Sequence, residues 1–343
     1  MSSSAGLQLD YLSLADCKPD EALGLALFGP STGPSTETDI PVARVSARLL
    51  TREPDVCELW RATEPVQAGR RNAVRYRCTE QVLFGSVSVA ESDLPSVSAR
   101  RERTALHQAT EQVYREMLAA IEAAGYPYLV RVWNYLSDIN TETHGIERYR
   151  QFNRARQEAL QGSGRAVAGA VPAACALGTP AGSPLVVYFL ASRSRPTFIE
   201  NPRQVSAYDY PPEYGARSPV FSRATALQGP AGWMLFISGT ASIVGHRTVH
   251  AGDAAAQTRE TLTNIQALIE EASRRTHGAR FTLGDLACKI YVRDPADLPL
   301  IQRELQAALG SGLRAIYLQA DICRRDLLVE IEATGPGLGA CSA

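Results

Sequence analysis

Lysine is nearly absent beside arginine in this chain of 343 residues, no stretch forms a basic block, and the net charge is −1. A nucleic-acid partner needs a clustered cationic footprint, so nucleic acid is excluded as the main partner. Arginine, with its planar fork, suits carboxylates better than lysine does, which keeps an anionic small ligand in play. No CxxC pair occurs among Cys17, Cys57, Cys78, Cys175, Cys288, Cys323 and Cys341. A scattered, odd set excludes a disulfide framework and a structural zinc site. "GPGLG" (335–339) is no phosphate loop, because no helix opening with Lys-Ser/Thr follows it. No apolar run approaches the ~18 residues of a membrane span, and the first residues lack a basic region followed by an apolar one. These absences predict a cytoplasmic protein that meets no membrane and holds no metal.

What is present is ample apolar material. Apolar residues make up 45% and charged ones 21%, enough for a sizeable core in one large or two ordinary domains. Alternation predicts strands over 40–50, 72–89, 128–136 and 184–192, and spacing by three and four predicts helices over 107–125 and 146–161. The order then returns: strand 232–245, helix 255–275, strand 286–294, helix 298–310 and a final strand pair over 314–333. Strand–helix–strand–helix–strand occurs twice, which predicts two tandem α+β units, each a mixed sheet backed by two helices. The expected boundaries are 1–192 for an N-terminal extension plus the first unit, 193–231 for a Tyr/Pro/Arg-rich connecting loop, and 232–343 for the second unit, which carries the active site. A connection that long and without helical period is a place where function is carried.

Near the C-terminus, "YLQADICRRDLLVEIEATG" (317–335) reads as a closing hairpin with a charged turn. Two acids, Glu330 and Glu332, share one face of its second strand, and Val329 and Ile331 share the other. Either both acids face solvent on an edge strand, or one is walled by apolar groups that disfavour its charge and make it a proton donor. The counterpart in the first unit, "PLVVYFLAS", has no acid, which points to one active pocket per chain. Cys323 is either a small buried apolar residue or part of a pocket wall. His246 reads as structural.

The second unit resembles the Rid/YjgF family, in "FISGTASI", "QTRETLTNIQALIEEA", "DLACKIYVRDPADL" and "RAIYLQA…VEIEA". Nearly the whole chain resembles the chorismatases, in "RVWNYLSDIN", "ERYRQFN", "AYDYPPEYGARSPVFSRA", "SGTASIVGH" and "DICRRDLLVEIE", five segments in the family's order. The resemblance implies two fused Rid-like (chorismate-mutase-like) units and a cofactor-free removal of pyruvate from chorismate. The likeness to the Rid/YjgF family aligns that family's pocket glutamate on Glu330 and its pocket arginine on Arg314. Gly239 in "SGTAS" and Cys323 in "ICRR" match the branch that makes a hydroxybenzoate, with 3-hydroxybenzoate the leading product. Hydrolysis to a dihydroxycyclohexadiene carboxylate, 4-hydroxybenzoate formation, Rid-type imine hydrolysis and metabolite binding are the alternatives. Glu330 and Cys323 are the expected catalytic residues. Arg148, Tyr149, Tyr210, Arg217, Gly239, Thr240 and Arg314 are the expected substrate contacts. Assembly is expected as a homotrimer or as a monomer whose two units mimic an oligomer.

Overall fold

The computed structural model describes residues 6–18, 22–29, 39–50, 56–94 and 103–337. Five strands come first: β1 (Leu7–Ser13), β2 (Ala22–Phe28), β3 (Val42–Val45), β4 (Arg48–Leu49) and β5 (Val56–Ala62). Four of them pair in the order β1-β5-β2-β3. A six-stranded sheet follows, built from β6 (Gln67–Arg71), β7 (Val74–Cys78), β8 (Val82–Val89), then α1 (Ala105–Ala124) and β9 (Tyr128–Ser137). The hairpin β10 (Glu142–Thr143) and β11 (Ile146–Glu147) leads into α2 (Arg148–Gly162), β12 (Ala173–Thr179) and β13 (Leu185–Ser192).

The second half runs β14 (Thr197–Ile199), β15 (Ala224–Gly229), β16 (Gly232–Ala241) and the hairpin β17 (Ile243–Val244) with β18 (Arg247–Thr248). Then come α3 (Ala254–Arg275), β19 (Ala287–Val292), α4 (Leu298–Leu309), β20 (Arg314–Gln319) and β21 (Val329–Pro336). The two large sheets are ordered β12-β9-β13-β8-β7-β6 and β20-β19-β21-β16-β15-β14, with β4 added to the edge at β20. Position for position the orders correspond, so the repeat in the sequence is a repeat of topology.

That topology corrects the expected closing hairpin. β20 pairs parallel with β19, and β21 pairs antiparallel with β19 on its other side, so β20 and β21 never meet. A parallel neighbour needs a crossover, which α4 supplies, and the last strand then fills the remaining place between β19 and β16. The strand that carries Glu330 is therefore central, not an edge. The stretch expected as a connecting loop, 193–231, gives β14 and β15 to the second sheet.

Local chemistry sets the helix ends. The Thr104 hydroxyl accepts from the His107 amide to cap α1, and Gly125 closes it at φ +80. Asp253 caps α3 by accepting from the Ala256 amide. Both helix pairs lie outside, α1 and α2 on the first sheet and α3 and α4 on the second. The inner faces of all three sheets share one core rich in rings, among them Trp60, Phe84, Trp133, Tyr188, Phe236 and Tyr291. The two large sheets are stitched where β12 meets β16: Ser238 Oγ accepts from the Ala174 amide at 2.9 Å and donates to the Ser222 carbonyl at 2.6 Å. No helix among the described residues is long and apolar enough to cross a membrane.

Candidate active site

Strand period decides what β21 presents. Val329, Ile331 and Ala333 pack towards α3, which leaves Glu330 and Glu332 on the face turned to the first unit. Both acids are buried. Glu330 opens into a cavity of about 510 Å³, whose lining includes Tyr149 and Arg150 from the first turn of α2, Tyr210 and Tyr214, Arg223, Gly239, Cys323 and Arg324. The cavity is thus shared: the first unit, the loop before β15 and the second unit each supply a wall.

Gly239 sits where the β16–β21 register shifts, between Ile237 and Thr240. Such an irregularity re-aims the strand, and glycine there lets another group come close. The group is Glu330, whose carboxyl carbon would lie 2.7 Å from a β-carbon at 239.

Burial pushes the Glu330 carboxyl up to about 8, and the neighbouring charge of Glu332 adds to the shift, while Arg131, Arg223 and Arg293 oppose it. Glu330 is therefore a neutral, proton-carrying acid at pH 7. Burial likewise pushes the Cys323 thiol up to about 12, with Glu330 adding to it. A thiol so held is a wall, not a thiolate nucleophile. The Cys323 loop is pinned from behind by Arg293, which donates to the carbonyls of Leu327, Ile322 and Arg324 at 2.8–2.9 Å.

Two guanidinium groups are held in place yet keep a donor unspent. Arg223 donates to the Tyr210 hydroxyl at 2.7 Å and to the Val205 carbonyl at 2.8 Å, and its buried Nε has no partner among the described residues. Arg324 donates to the His246 carbonyl at 2.8 Å and lies 4.1 Å over the Tyr214 ring, and its buried Nη2 has no partner among the described residues. Buried donors of this kind are normally satisfied, so each is a seat for an anionic oxygen. A cavity with one neutral acid, two such guanidiniums and a ring-lined wall fits a compact dianion.

The expected residues divide. Glu330, Cys323, Tyr149, Tyr210 and Gly239 come together at the cavity. Arg148 is spent elsewhere: it donates to the Ser137 carbonyl at 2.8 Å and pairs with Glu91, fastening the start of α2 to the end of β9. Arg217 is exposed and off the cavity wall. Thr240 pairs with Ile331 in register, on the face opposite Glu330, and its hydroxyl donates to the Ser238 carbonyl at 2.8 Å. Arg314 donates to the Asp285 carbonyl at 2.7 Å and lines a separate cavity of about 440 Å³ with Trp233 and Met234. Arg223 and Arg324 were not among the expected contacts, although both lie inside quoted motifs, "VFSRA" and "DICRR". Many arginines and no spatial cue hid them. His246 and His250 stand four apart, but on either side of β18, where they part: His246 Nδ1 lies 3.3 Å from the Tyr214 hydroxyl and His250 Nε2 lies 3.6 Å from Glu260.

The sequence profile described as "Chorismatase FkbO/Hyg5-like, N-terminal" matches residues 58–191. A protein of Streptomyces hygroscopicus named chorismatase is 38% identical over 326 residues, covering 92% of this chain and 90% of its own. A second protein of that organism, named 3-hydroxybenzoate synthase, is 36% identical over 87% of this chain and 86% of its own. A crystal structure described as a chorismatase superposes with a TM-score of 0.84 at 36% identity, covering 98% of this chain and all of that one.

Proposed function

We propose that this chain, which belongs to the chorismatase family, converts chorismate to 3-hydroxybenzoate and pyruvate with Glu330 as the acid. The observation that carries the reading is the burial of Glu330, neutral to about pH 8, at a wall of the arginine- and tyrosine-lined cavity.

Chorismate is a dianion with a ring carboxylate and an enolpyruvyl ether. Arg223 and Arg324 anchor its carboxylates, and Tyr149, Tyr210 and Tyr214 wall the ring. Glu330 delivers its proton to the methylene carbon of the enolpyruvyl group, which becomes an oxocarbenium ion. The guanidiniums hold the carboxylates in place while that cation forms. What attacks next decides the product. An ordered water gives a diene diol. With water kept out, the neighbouring ring hydroxyl attacks the ring carbon that bears the ether, pyruvate leaves, and the hydroxyl proton returns to Glu330. The epoxide so formed then opens at its other C–O bond, and the ring proton passes to the oxygen, which makes the aromatic phenol. The aromatic product and pyruvate together hold the atoms of chorismate and no added water.

The 3-hydroxybenzoate branch draws support from Gly239 and Cys323, which match that branch and both line Glu330's cavity, and from the relative named 3-hydroxybenzoate synthase. Incubation of purified protein with chorismate, with products separated by chromatography, tests the reading. Pyruvate and 3-hydroxybenzoate in equal amounts are expected. A diene diol or 4-hydroxybenzoate as main product would overturn the branch, and absence of pyruvate would overturn the activity.

A further inference from the structure

Behind the cavity the three sheets close on charge as well as on hydrocarbon. Glu58 on β5, Arg131 on β9, Lys289 on β19 and Glu332 on β21 are all buried. Lys289 Nζ bridges both acids, Glu332 at 2.8 Å and Glu58. Arg131 takes the other oxygen of Glu332 at 2.5 Å, and Trp133 Nε1 donates to Glu332 at 2.8 Å. Trp60 Nε1 donates to Glu58 at 2.7 Å, and the Tyr188 hydroxyl accepts from Lys289 at 2.8 Å. Four charges of alternating sign make one neutral chain from the N-terminal sheet through the second unit to the first. In a sequence whose only lysines are Lys18 and Lys289, one of the two is spent here.

Replacing a buried ion chain by apolar residues often stabilises a fold, so stability alone does not account for this one. Its location does. Glu332 lies two residues from Glu330 on the same face of β21, about 7 Å along the strand. Every oxygen of Glu332 is engaged by a cation or an indole N–H, so it stays charged in a dry core. We propose that Glu332 is a positioning residue for the acid: fixed as an anion by Lys289 and Arg131, it opposes ionisation of Glu330 and keeps the catalytic proton on it. The inference rests on the reading of Glu330 as the acid.

The other groups around Glu330 are known by element. Arg131 on β9, Arg223 before β15 and Arg293 after β19 favour its ionised form. Tyr149 on α2, Cys175 on β12 and Cys323 in the loop before β21 face it as neutral groups whose burial keeps them protonated. Around Glu332 stand Lys289, Arg131 and Trp133, with Glu58, Cys175, Tyr135, Tyr188 and Tyr291 beyond them. Glu332 is thus the anion set against three guanidiniums that pull the other way.

The sign is fixed. Removing the negative charge at 332 makes ionisation of Glu330 easier, so the proton-carrying form is lost at lower pH. In Glu332→Gln the alkaline limb of kcat/KM is expected to move down by about one pH unit or more, which at pH 8 reads as about a ten-fold loss relative to pH 6. Glu332→Asp keeps the charge and is expected to keep the limb where the parent has it, even if turnover falls. An unmoved limb in folded Glu332→Gln would overturn the proposal, and so would equal displacement in both variants, which is what packing alone would give. Should Glu332→Gln not fold, a carboxyl ¹³C NMR titration of the parent protein reads Glu332 directly. A Glu332 resonance that stays in the carboxylate range from about pH 5.5 to 9, with only the small perturbation that ionisation of Glu330 gives, is expected, and a full protonation step of Glu332 in that range would overturn the proposal. Release of pyruvate by Glu330→Gln would strike at the acid reading itself, an outcome separate from either result at 332.

Discussion

A β-carbon at position 239 would stand 2.7 Å from the carboxyl carbon of Glu330 and 3.2 Å from Cβ of Cys175. The first distance is shorter than packed carbons allow, so the place of the carboxyl depends on glycine at 239. Gly239→Ala therefore pushes the acid aside, since its flexible end is what can yield. A displacement near 1 Å at the reacting centre costs of the order of 10- to 100-fold in turnover. Chromatography of the products should also show a shift from 3-hydroxybenzoate toward the diene diol, more so when Cys323→Ala is added. An unchanged product ratio would show that discrimination lies elsewhere.

Activity that needs a protonated Glu330 should be level through neutrality and fall as pH rises through about 8, the value to which burial lifts the group. Stability carries the same linkage with a definite sign. The folded state holds this proton more tightly than the unfolded chain, so stability declines with rising pH between the ordinary glutamate range and about 8, and the loss is complete above it. Glu330→Gln removes that loss. It should lose turnover yet melt higher than the parent at pH 9, with the gap closing at pH 5; a gap that does not vary with pH would contradict the assignment.

Arg324 and Arg223 each hold one buried nitrogen without a partner among the described residues, and Arg324 lies over the Tyr214 ring. Lysine keeps the charge but neither the fork nor the stacking plane. Arg324→Lys and Arg223→Lys should each lower kcat/KM by about 10- to 100-fold, mostly through KM, since carboxylate anchoring is present in ground and transition states alike. Steady-state kinetics with chorismate decides this. A loss confined to kcat would move the residue from anchoring to the chemical step.

Much of this architecture was legible because it is written twice. Helices with apolar residues at three and four, each followed by an alternating strand, mark both units, and the second copy confirms the first. The N-terminal sheet was not legible in the same way. β1, β2 and β5 belong to no repeat, a Pro-, Ser-, Thr- and Gly-rich segment parts β2 from β5, and β1 pairs with β5, far along the sequence. The place of β21 was hidden too, because only the parallel pairing of β19 with β20 moves it to the centre of the sheet. At the site, alternation alone put Glu330 and Glu332 on one face. It did not show that the first opens into a cavity while the second is consumed by Lys289, Arg131 and Trp133. Arg148 illustrates the converse: its motif stands at the cavity mouth, but its own side chain turns back to Ser137 and Glu91, and Tyr149 and Arg150 beside it line the space.

Proton delivery from Glu330 to the enolpyruvyl methylene carbon is the central step, and turnover in D₂O reads it most directly. Pyruvate should be trapped at once as lactate, before its methyl group exchanges, and examined by mass spectrometry. One solvent-derived deuterium in the methyl group of each molecule is the predicted result, because an exchanged carboxylic acid supplies it. A methyl group free of deuterium would mean that the hydrogen came from the substrate ring, and would contradict a role for Glu330 as the acid.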